Sequence, residues 1–97
     1  MRGGWVYLLA NRYRGTIYTG VTADLARRAW RHRQGKGSAF AARYGACRLV
    51  HAEEYPTIDD AIAREKAIKK WRRDWKIELI EKANPDWLDL YEHLIGI

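Results

Sequence analysis

Apolar and aromatic residues are concentrated in two short runs near the start of the chain. The runs 5–10 and 16–21 are rich in β-branched and aromatic residues, and a five-residue, glycine-containing segment separates them. This spacing is typical of a β-hairpin. Because side chains alternate between the two faces of a strand, Tyr7 and Tyr18 share one side of the hairpin when the register permits it. Gly20 then leaves a gap beside them, where a backbone or a phosphate could approach closely.

The next segment changes to a helical period. Thr22 is a suitable N-cap and Gly35 a suitable C′ residue for the helix between them. At about 100° per residue, Arg28 and His32 fall in one arc with the apolar positions, whereas the neighbouring cations point away. The pattern therefore predicts one Arg and one His on the inward face of this helix.

The rest of the chain continues as a mixture of helix and strand. The pattern predicts a short helical turn at 39–44, a strand at 47–55, a long helix from Thr57, a further helix at 75–82 that stops before Pro85, and a short piece at 87–91. The apolar stripe of the long helix extends toward Trp75 and contains Glu65, a carboxylate that is unfavourable there unless it is paired or binds a metal. Cys47 is expected in the core.

This order of elements predicts the fold class. The sequence β-β-α-β-α-α, with a small three-stranded antiparallel sheet flanked by helices, is an α+β arrangement. A chain of 97 residues has room for one modest core, so we expect a single domain over residues 1–97.

Composition adds a strong basic charge to this picture. The chain has 18 Lys and Arg against 12 Asp and Glu, a formal net charge of +6. Cations gain affinity for nucleic acid by releasing its condensed counterions, although a basic surface can also serve solubility alone. The single Cys fits a reducing compartment, and no apolar run approaches the roughly 20 residues of a membrane span. We expect a cytoplasmic protein with a nucleic-acid partner and no membrane association.

Five candidate residues suit metal-assisted phosphodiester hydrolysis. A single carboxylate, such as Glu65, can hold Mg²⁺ together with phosphate oxygens. Arg28 can stabilise charge on the phosphoryl oxygens, and a Tyr or His can take a proton from the attacking water. Structural interpretations remain open for all of them, because Tyr7 and Tyr18 can simply pack in strands, His32 can be satisfied in the core, and Glu65 can pair with Arg28.

The order and spacing of these residues resemble those of the GIY-YIG nucleases. Trp5-Val6-Tyr7 stands where that family has Gly-Ile-Tyr, and Tyr18-Thr19-Gly20 stands where it has Tyr-Ile-Gly. The family's Arg, His, metal-binding Glu and late Asn have counterparts in Arg28, His32, Glu65 and Asn84. The resemblance covers nearly the whole chain and is strongest to small bacterial members without a fused DNA-binding domain.

The resemblance implies an endonuclease that hydrolyses phosphodiester bonds in DNA with one Mg²⁺ or Mn²⁺ ion on Glu65. Tyr7 and Tyr18 would position or activate the water, with one of them, aided by His32, as general base. Arg28 would bind the scissile phosphate. The further candidates for substrate contact are Gly20, Lys36 and Asn84.

Other interpretations use the same basic charge. The main rival is a non-catalytic nucleic-acid-binding module that keeps the fold, and a weaker one is a structural partner in a repair or restriction complex. Glu65 discriminates between them, because a binder has no need of a carboxylate that repels phosphate. Asn84 before Pro85 is equally well explained as a helix stop. Since one small domain offers few base-reading contacts, we expect selectivity for DNA structure, in repair or processing, or recruitment by a protein partner.

Overall fold

The computed structural model describes residues 3–94 and contains a three-stranded antiparallel sheet. Its strands are β1 (Gly4–Ala10), β2 (Ile17–Thr22) and β3 (Arg48–Tyr55), and β1 lies between the other two. In the predicted hairpin, Tyr7 pairs with Gly20 and Leu9 pairs with Tyr18. Both tyrosines therefore lie on the same face of the sheet, as the alternation predicted.

Five helices occur within the described residues. They are α1 (Leu25–Arg33), α2 (Ala39–Tyr44), α3 (Ile58–Lys69), α4 (Arg73–Ala83) and α5 (Tyr91–Leu94). The side chain of Thr57 caps α3 by accepting the Asp60 N–H at 3.1 Å, as predicted. The predicted N-cap of α1 was wrong, because Asp24 and not Thr22 accepts the first-turn N–H. Gly35 follows this helix with a φ of +73°, as expected of a C′ residue.

Helices cover both faces of β1, which explains why this strand is almost entirely apolar. On one face, Tyr7 and Leu9 pack with Leu25 of α1 and Leu49 of β3. The opposite face packs against α3, α4 and the segment after α4 through Val6, Leu8, Ala10, Ala61, Ile68, Ile80 and Trp87. We call these the tyrosine face and the α3 face. Burial of apolar surface stabilises a fold by about 25 cal/mol per Å². Because β1 is buried on both faces, it contributes strongly to the stability of the domain.

Two side chains lie elsewhere than predicted, although the α+β architecture and the order of the main elements are confirmed. Trp75 is 46% exposed, because the helix stops at Lys69 and α4 starts anew at Arg73. Cys47 is exposed, since it precedes β3 instead of lying within it. None of the helices in residues 3–94 is long and apolar enough to cross a membrane.

Candidate active site

Four of the candidate residues meet on the tyrosine face. β1 supplies Tyr7, β2 supplies Tyr18, and α1 supplies Arg28 and His32. The two α1 residues are one helical turn apart and share the stripe that packs on the sheet. We call Tyr7, Tyr18, Arg28 and His32 the tyrosine cluster. The prediction that Arg28 and His32 face inward is confirmed.

A chain of hydrogen bonds joins three members of the tyrosine cluster. The Nε–H of Arg28 donates to the Tyr7 hydroxyl at 3.2 Å, and this hydroxyl lies 3.0 Å from Nε2 of His32. When Tyr7 donates its own proton to Nε2, the Arg28 Nε–H, the Tyr7 hydroxyl and Nε2 are all paired, and the imidazole proton lies on Nδ1. Nδ1 is buried and has no hydrogen-bond partner among the described residues. In this tautomer the imidazole accepts a hydrogen bond from Tyr7 through Nε2.

Burial sets the protonation states of this chain. It raises the pKa of Tyr7 to about 12, although the hydrogen bond from Arg28 opposes the increase. It also lowers the pKa of His32 to about 4, and the Arg28 charge adds to this decrease. At neutral pH the cluster therefore holds a neutral phenol, a neutral imidazole and one guanidinium cation.

Tyr18 completes the cluster through ring packing. Its ring centroid lies 6.2 Å from that of Tyr7 and 5.4 Å from that of His32. On its other side it stacks on Phe40 of α2, with centroids 6.1 Å apart and planes at 30°. Tyr18 therefore connects the cluster to the edge of the sheet, where β2 is the outer strand.

Two glycines let the cluster close. A Cβ on Gly20 would lie 2.4 Å from Cζ of Tyr7, so the gap predicted at this position is filled by the Tyr7 ring. A Cβ on Gly37 would lie 2.2 Å from Nδ1 of His32. The sequence analysis missed Gly37, although a glycine on each side of Lys36 was the available signal. Lys36 is exposed beside this contact.

A small basic pocket adjoins Arg28 at the end of β2. It has a volume of about 230 Å³ and is lined by Thr22, Asp24, Arg27, Arg28 and Arg31. No ion pair between Arg28 and a carboxylate occurs within residues 3–94. The outward cations of α1 therefore surround an unneutralised guanidinium, an arrangement suited to an anion.

Glu65 lies on α3, which packs against β1 and β2 from the α3 face. Its side chain is 10% exposed and pairs with the more exposed Lys69 at 2.8 Å. The open alternative that it pairs with Arg28 is wrong. None of the hydrogen bonds within residues 3–94 links Glu65 to the tyrosine cluster.

A cavity at the β2 edge connects the two sides of the sheet. It measures about 260 Å³ and is lined by Ile17, Tyr18, Thr19, Phe40, Lys69 and Lys76. Tyr18 contributes from the tyrosine face, and Lys69, the partner of Glu65, contributes from α3. The hydroxyl of Thr19 is a buried polar atom without a hydrogen-bond partner in the described chain.

Asn84 has a structural role in the backbone. Its Nδ2 donates to the carbonyls of Val50 and Leu88 at 3.0 and 2.9 Å, and its Oδ1 accepts the Leu88 N–H at 3.0 Å. The residue is buried and caps the C-terminus of α4. Both amide protons are used, which favours the helix-stop interpretation over contact with substrate.

Comparisons with known proteins identify the family. The model of the GIY-YIG catalytic domain matches residues 3–78. The chain belongs to the GIY-YIG family. The predicted resemblance is thereby confirmed.

Relatives and a solved structure agree with this membership. Over 69 residues the chain is 34% identical to a UPF0213 protein of Staphylococcus epidermidis, covering 71% of this chain and 84% of the relative. Over 68 residues it is 36% identical to a UPF0213 protein of Haloquadratum walsbyi, covering 70% and 76%. The NMR structure of the UPF0213 protein BH0048 from Bacillus halodurans aligns with a TM-score of 0.56 and 29% identity, over 93% of this chain and 95% of that one.

Membership of the GIY-YIG family implies a nuclease-type function that acts on nucleic acid, and such nucleases are generally metal-dependent. Within residues 3–94, no group of three or more His, Cys, Asp or Glu side chains could hold an ion. Glu65 nevertheless supplies a buried carboxylate whose partner, Lys69, is an exposed ammonium. Because Mg²⁺ uses one or two carboxylates, phosphate oxygens and retained waters, this donor set fits an ion that is bound together with substrate.

Besides Gly37, the sequence analysis missed three features of this GIY-YIG site. The Glu65–Lys69 pair has the i,i+4 spacing of a helical ion pair and could have been found from that spacing. The basic pocket could have been found from the repeated arginines of α1. The stacking of Phe40 on Tyr18 had no signal in the sequence, because the two residues belong to elements that are not adjacent along the chain.

Proposed function

We propose that this protein is a metal-dependent endonuclease that hydrolyses phosphodiester bonds in DNA. The observation that carries the proposal is Arg28, a cation held against a tyrosine hydroxyl and beside two further arginines, with no carboxylate paired to it in the described chain. A phosphodiester is the anion that matches this environment, since the bond to Tyr7 comes from Nε and leaves the Nη groups for phosphate oxygens.

The tyrosine cluster supports a proton relay. The attacking water loses a proton to the Tyr7 oxygen as Tyr7 passes its own proton to Nε2 of His32. Because the pKa of Tyr7 is raised to about 12, a free tyrosinate is disfavoured, and the proposed relay passes the proton on to the imidazole as the water attacks. Neutral His32 receives the proton at Nε2, and a phosphate bound to Arg28 would offset the guanidinium charge that lowers the pKa of this ring. Tyr18 packs against both rings and orients the water.

Charge stabilisation falls to Arg28 and to the metal. Arg28 binds the scissile phosphate and stabilises the charge that develops on its non-bridging oxygens. A divalent ion, Mg²⁺ or Mn²⁺, held by Glu65 would supply Lewis acidity at the phosphoryl group. Lys36, in the exposed loop beside His32, would contact the same backbone. Gly20 then acts indirectly, by making room for Tyr7.

The substrate proposal follows from the size of the domain. A single domain presents few base-reading contacts, so we propose that the protein recognises the structure of DNA and not its sequence. It would act in DNA repair or processing in the cytoplasm. Where a particular target must be chosen, a protein partner would recruit it.

The test is cleavage of a labelled panel of single strand, duplex, flap, fork, four-way junction and RNA. Each substrate is incubated with Mg²⁺, Mn²⁺ or EDTA, with the wild type and with Glu65→Gln and Arg28→Ala. We expect cutting that requires metal, with rates lowered at least about 100-fold by either substitution. Lys82→Gln, an exposed charge on α4, is the matched control and should cut as the wild type does.

Binding of the same panel separates the two candidate functions. A folded wild type that binds DNA but cuts no member with metal present would overturn the nuclease proposal and favour the non-catalytic module. If Glu65→Gln cuts normally, the proposed assignment of the metal to Glu65 is wrong. Circular dichroism establishes that each variant is folded.

A further inference from the structure

An exposed aromatic shelf adjoins the tyrosine cluster. Phe40 and Tyr44 are one turn apart on α2, with ring centroids 4.9 Å apart, and they are 45% and 44% exposed. Phe40 also stacks on Tyr18, so the shelf continues the cluster outward. Arg43 lies over the Tyr44 ring, 5.7 Å from its centroid. We call Phe40 and Tyr44 the aromatic shelf.

Cations border this shelf across the edge cavity. Lys69 and Lys76 line the cavity opposite Phe40. Burial lowers the pKa of Lys76, and the charges of Arg73 and Lys69 lower it further. Lys76 forms no ion pair within the described part of the chain, and its positive neighbours make an anion the favourable occupant.

We propose that the shelf and the edge cavity form a subsite for one unpaired nucleotide on the strand that carries the scissile phosphate. Its base stacks on Phe40 and its phosphate binds Lys76. This inference rests on the proposed function and deepens it, because it names a substrate class: DNA with a single-stranded segment at the cleavage site.

The shape and chemistry of the subsite favour an unpaired base. An aromatic ring stacks on bases of any sequence, but only when a base face is free, and a base within a duplex is covered by its neighbours. The cavity, at about 260 Å³, lies just below the range of about 300–1,000 Å³ that holds drug-sized ligands. It therefore suits part of one nucleotide. A duplex cannot enter it without losing a base pair.

The subsite also lies in line with the basic pocket. The edge cavity includes Tyr18 and the basic pocket includes Thr22, at opposite ends of β2. Four residues of strand span roughly 13 Å, several times the 3.4 Å rise per nucleotide of a B-form strand. A nucleic-acid strand following this edge passes the tyrosine cluster between the two ends.

A binding experiment in EDTA tests the subsite without catalysis. The probe is a single-stranded oligonucleotide that carries one 2-aminopurine, a base whose fluorescence falls on stacking, and the comparison is the same sequence as a blunt duplex. Wild type should quench the single strand. Phe40→Ala should weaken single-strand binding about 5- to 100-fold and leave duplex binding unchanged, whereas Phe40→Tyr should restore it.

Two controls match these substitutions. Trp75→Ala removes an aromatic of equal exposure, 46%, from another surface and should change nothing. Lys76→Gln should reduce the slope of log K against log salt by about 0.7 for the single strand, and Lys82→Gln should not. Because Phe40 is exposed, its variants are expected to fold, and their melting temperatures establish this.

The remaining outcomes overturn the inference. If Phe40→Ala binds the single strand as tightly as the wild type does, the shelf does not stack a base and is instead a surface for a protein partner. Equal losses for single strand and duplex indicate a general contact, and a wild type that quenches no 2-aminopurine excludes stacking. If no substrate is cut but the binding pattern holds, the nuclease proposal fails and the subsite stands. If cutting is normal and binding is unaffected by Phe40→Ala, only the subsite fails.

Discussion

Two polar clusters on the sheet contain the same three residue types and differ in one group. On β3 and α3, the Glu53 cluster comprises His51, Glu53, Tyr55 and Arg64. Its carboxylate accepts hydrogen bonds from Tyr55 at 2.8 Å and from Arg64 at 2.9 Å, and it lies 2.8 Å from Nε2 of His51. Burial raises the pKa of Glu53, but these hydrogen bonds outweigh it and lower the pKa to about 2. This cluster is electrostatically complete.

The tyrosine cluster has two Tyr, a His and an Arg, and it lacks the carboxylate. Arg28 keeps its charge with no acidic partner among residues 3–94, and Nδ1 of His32 stays without a hydrogen bond. Buried polar groups in proteins are normally satisfied, so this incompleteness has to be explained. The comparison supports the proposal that the tyrosine cluster receives an anion from outside, whereas the carboxylate of the Glu53 cluster is already internal.

Substitution of the two arginines, Arg28 and Arg64, should give the largest difference between the two clusters. Arg28→Ala should lower the single-turnover cleavage rate about 100- to 1,000-fold or more, because the phosphate loses its cation. Arg64→Ala should leave that rate unchanged and reduce stability, because Glu53 loses a charged donor. Rapid-quench kinetics and urea denaturation of both variants check this. Equal effects on cleavage would mean that the two clusters do not differ in function.

The two tyrosines give a second, smaller contrast. Tyr7→Phe should reduce the cleavage rate about 100-fold by interrupting the proton path to His32. Tyr55→Phe removes one of several bonds to Glu53 and should cleave normally. The measurement is the cleavage rate at saturating metal, with DNA affinity as the control. A normal rate for Tyr7→Phe would assign the proton transfer to another group.

The two carboxylates, Glu53 and Glu65, should differ in how much they contribute to the free energy of unfolding. Glu53→Gln should lower the free energy of unfolding by about 1–3 kcal/mol, because three part-buried partners lose a charged acceptor. Glu65→Gln should change it by less than about 1 kcal/mol, because Lys69 is half exposed and its ion pair is screened by solvent. Urea titrations at neutral pH measure both. A larger loss for Glu65→Gln would make that residue a structural anchor.

The last contrast is a pH dependence of stability that differs between the clusters. The pKa of His32 falls from 6.5 to about 4 on folding, so the unfolded chain binds a proton that the folded chain excludes. This contribution to stability is complete above pH 6.5 and decreases as the pH falls toward 4, by an amount on the order of 1–3 kcal/mol. The contribution of Glu53 decreases only between pH 4.5 and about 2.

Urea titrations of His32→Gln at several pH values test this assignment. The stability of this variant should no longer depend on pH between 6.5 and 4, but it should still decrease at lower pH. An unchanged slope in the upper interval would show that another group is responsible.

Periodicity explains how much of the site could be predicted. The strand alternation put Tyr7 and Tyr18 on one face, and the helical arc turned Arg28 and His32 inward. The burial of Glu65 followed from the same arithmetic. These positions depend on repeats within single elements, which the chain specifies locally. Trp75 was misplaced because the break between α3 and α4 resets the helical phase.

By itself, then, the sequence determined the α+β fold, its family and the inward direction of the candidate residues. Only the tertiary structure decided what those residues meet. In the folded protein the Tyr7 ring fills the gap at Gly20, Asn84 hydrogen-bonds to the backbone, and Phe40 stacks on Tyr18. Contacts between elements distant along the chain depend on how the helices pack on the sheet, and desolvation, which sets the pKa values of Tyr7 and His32, exists only once that packing is complete.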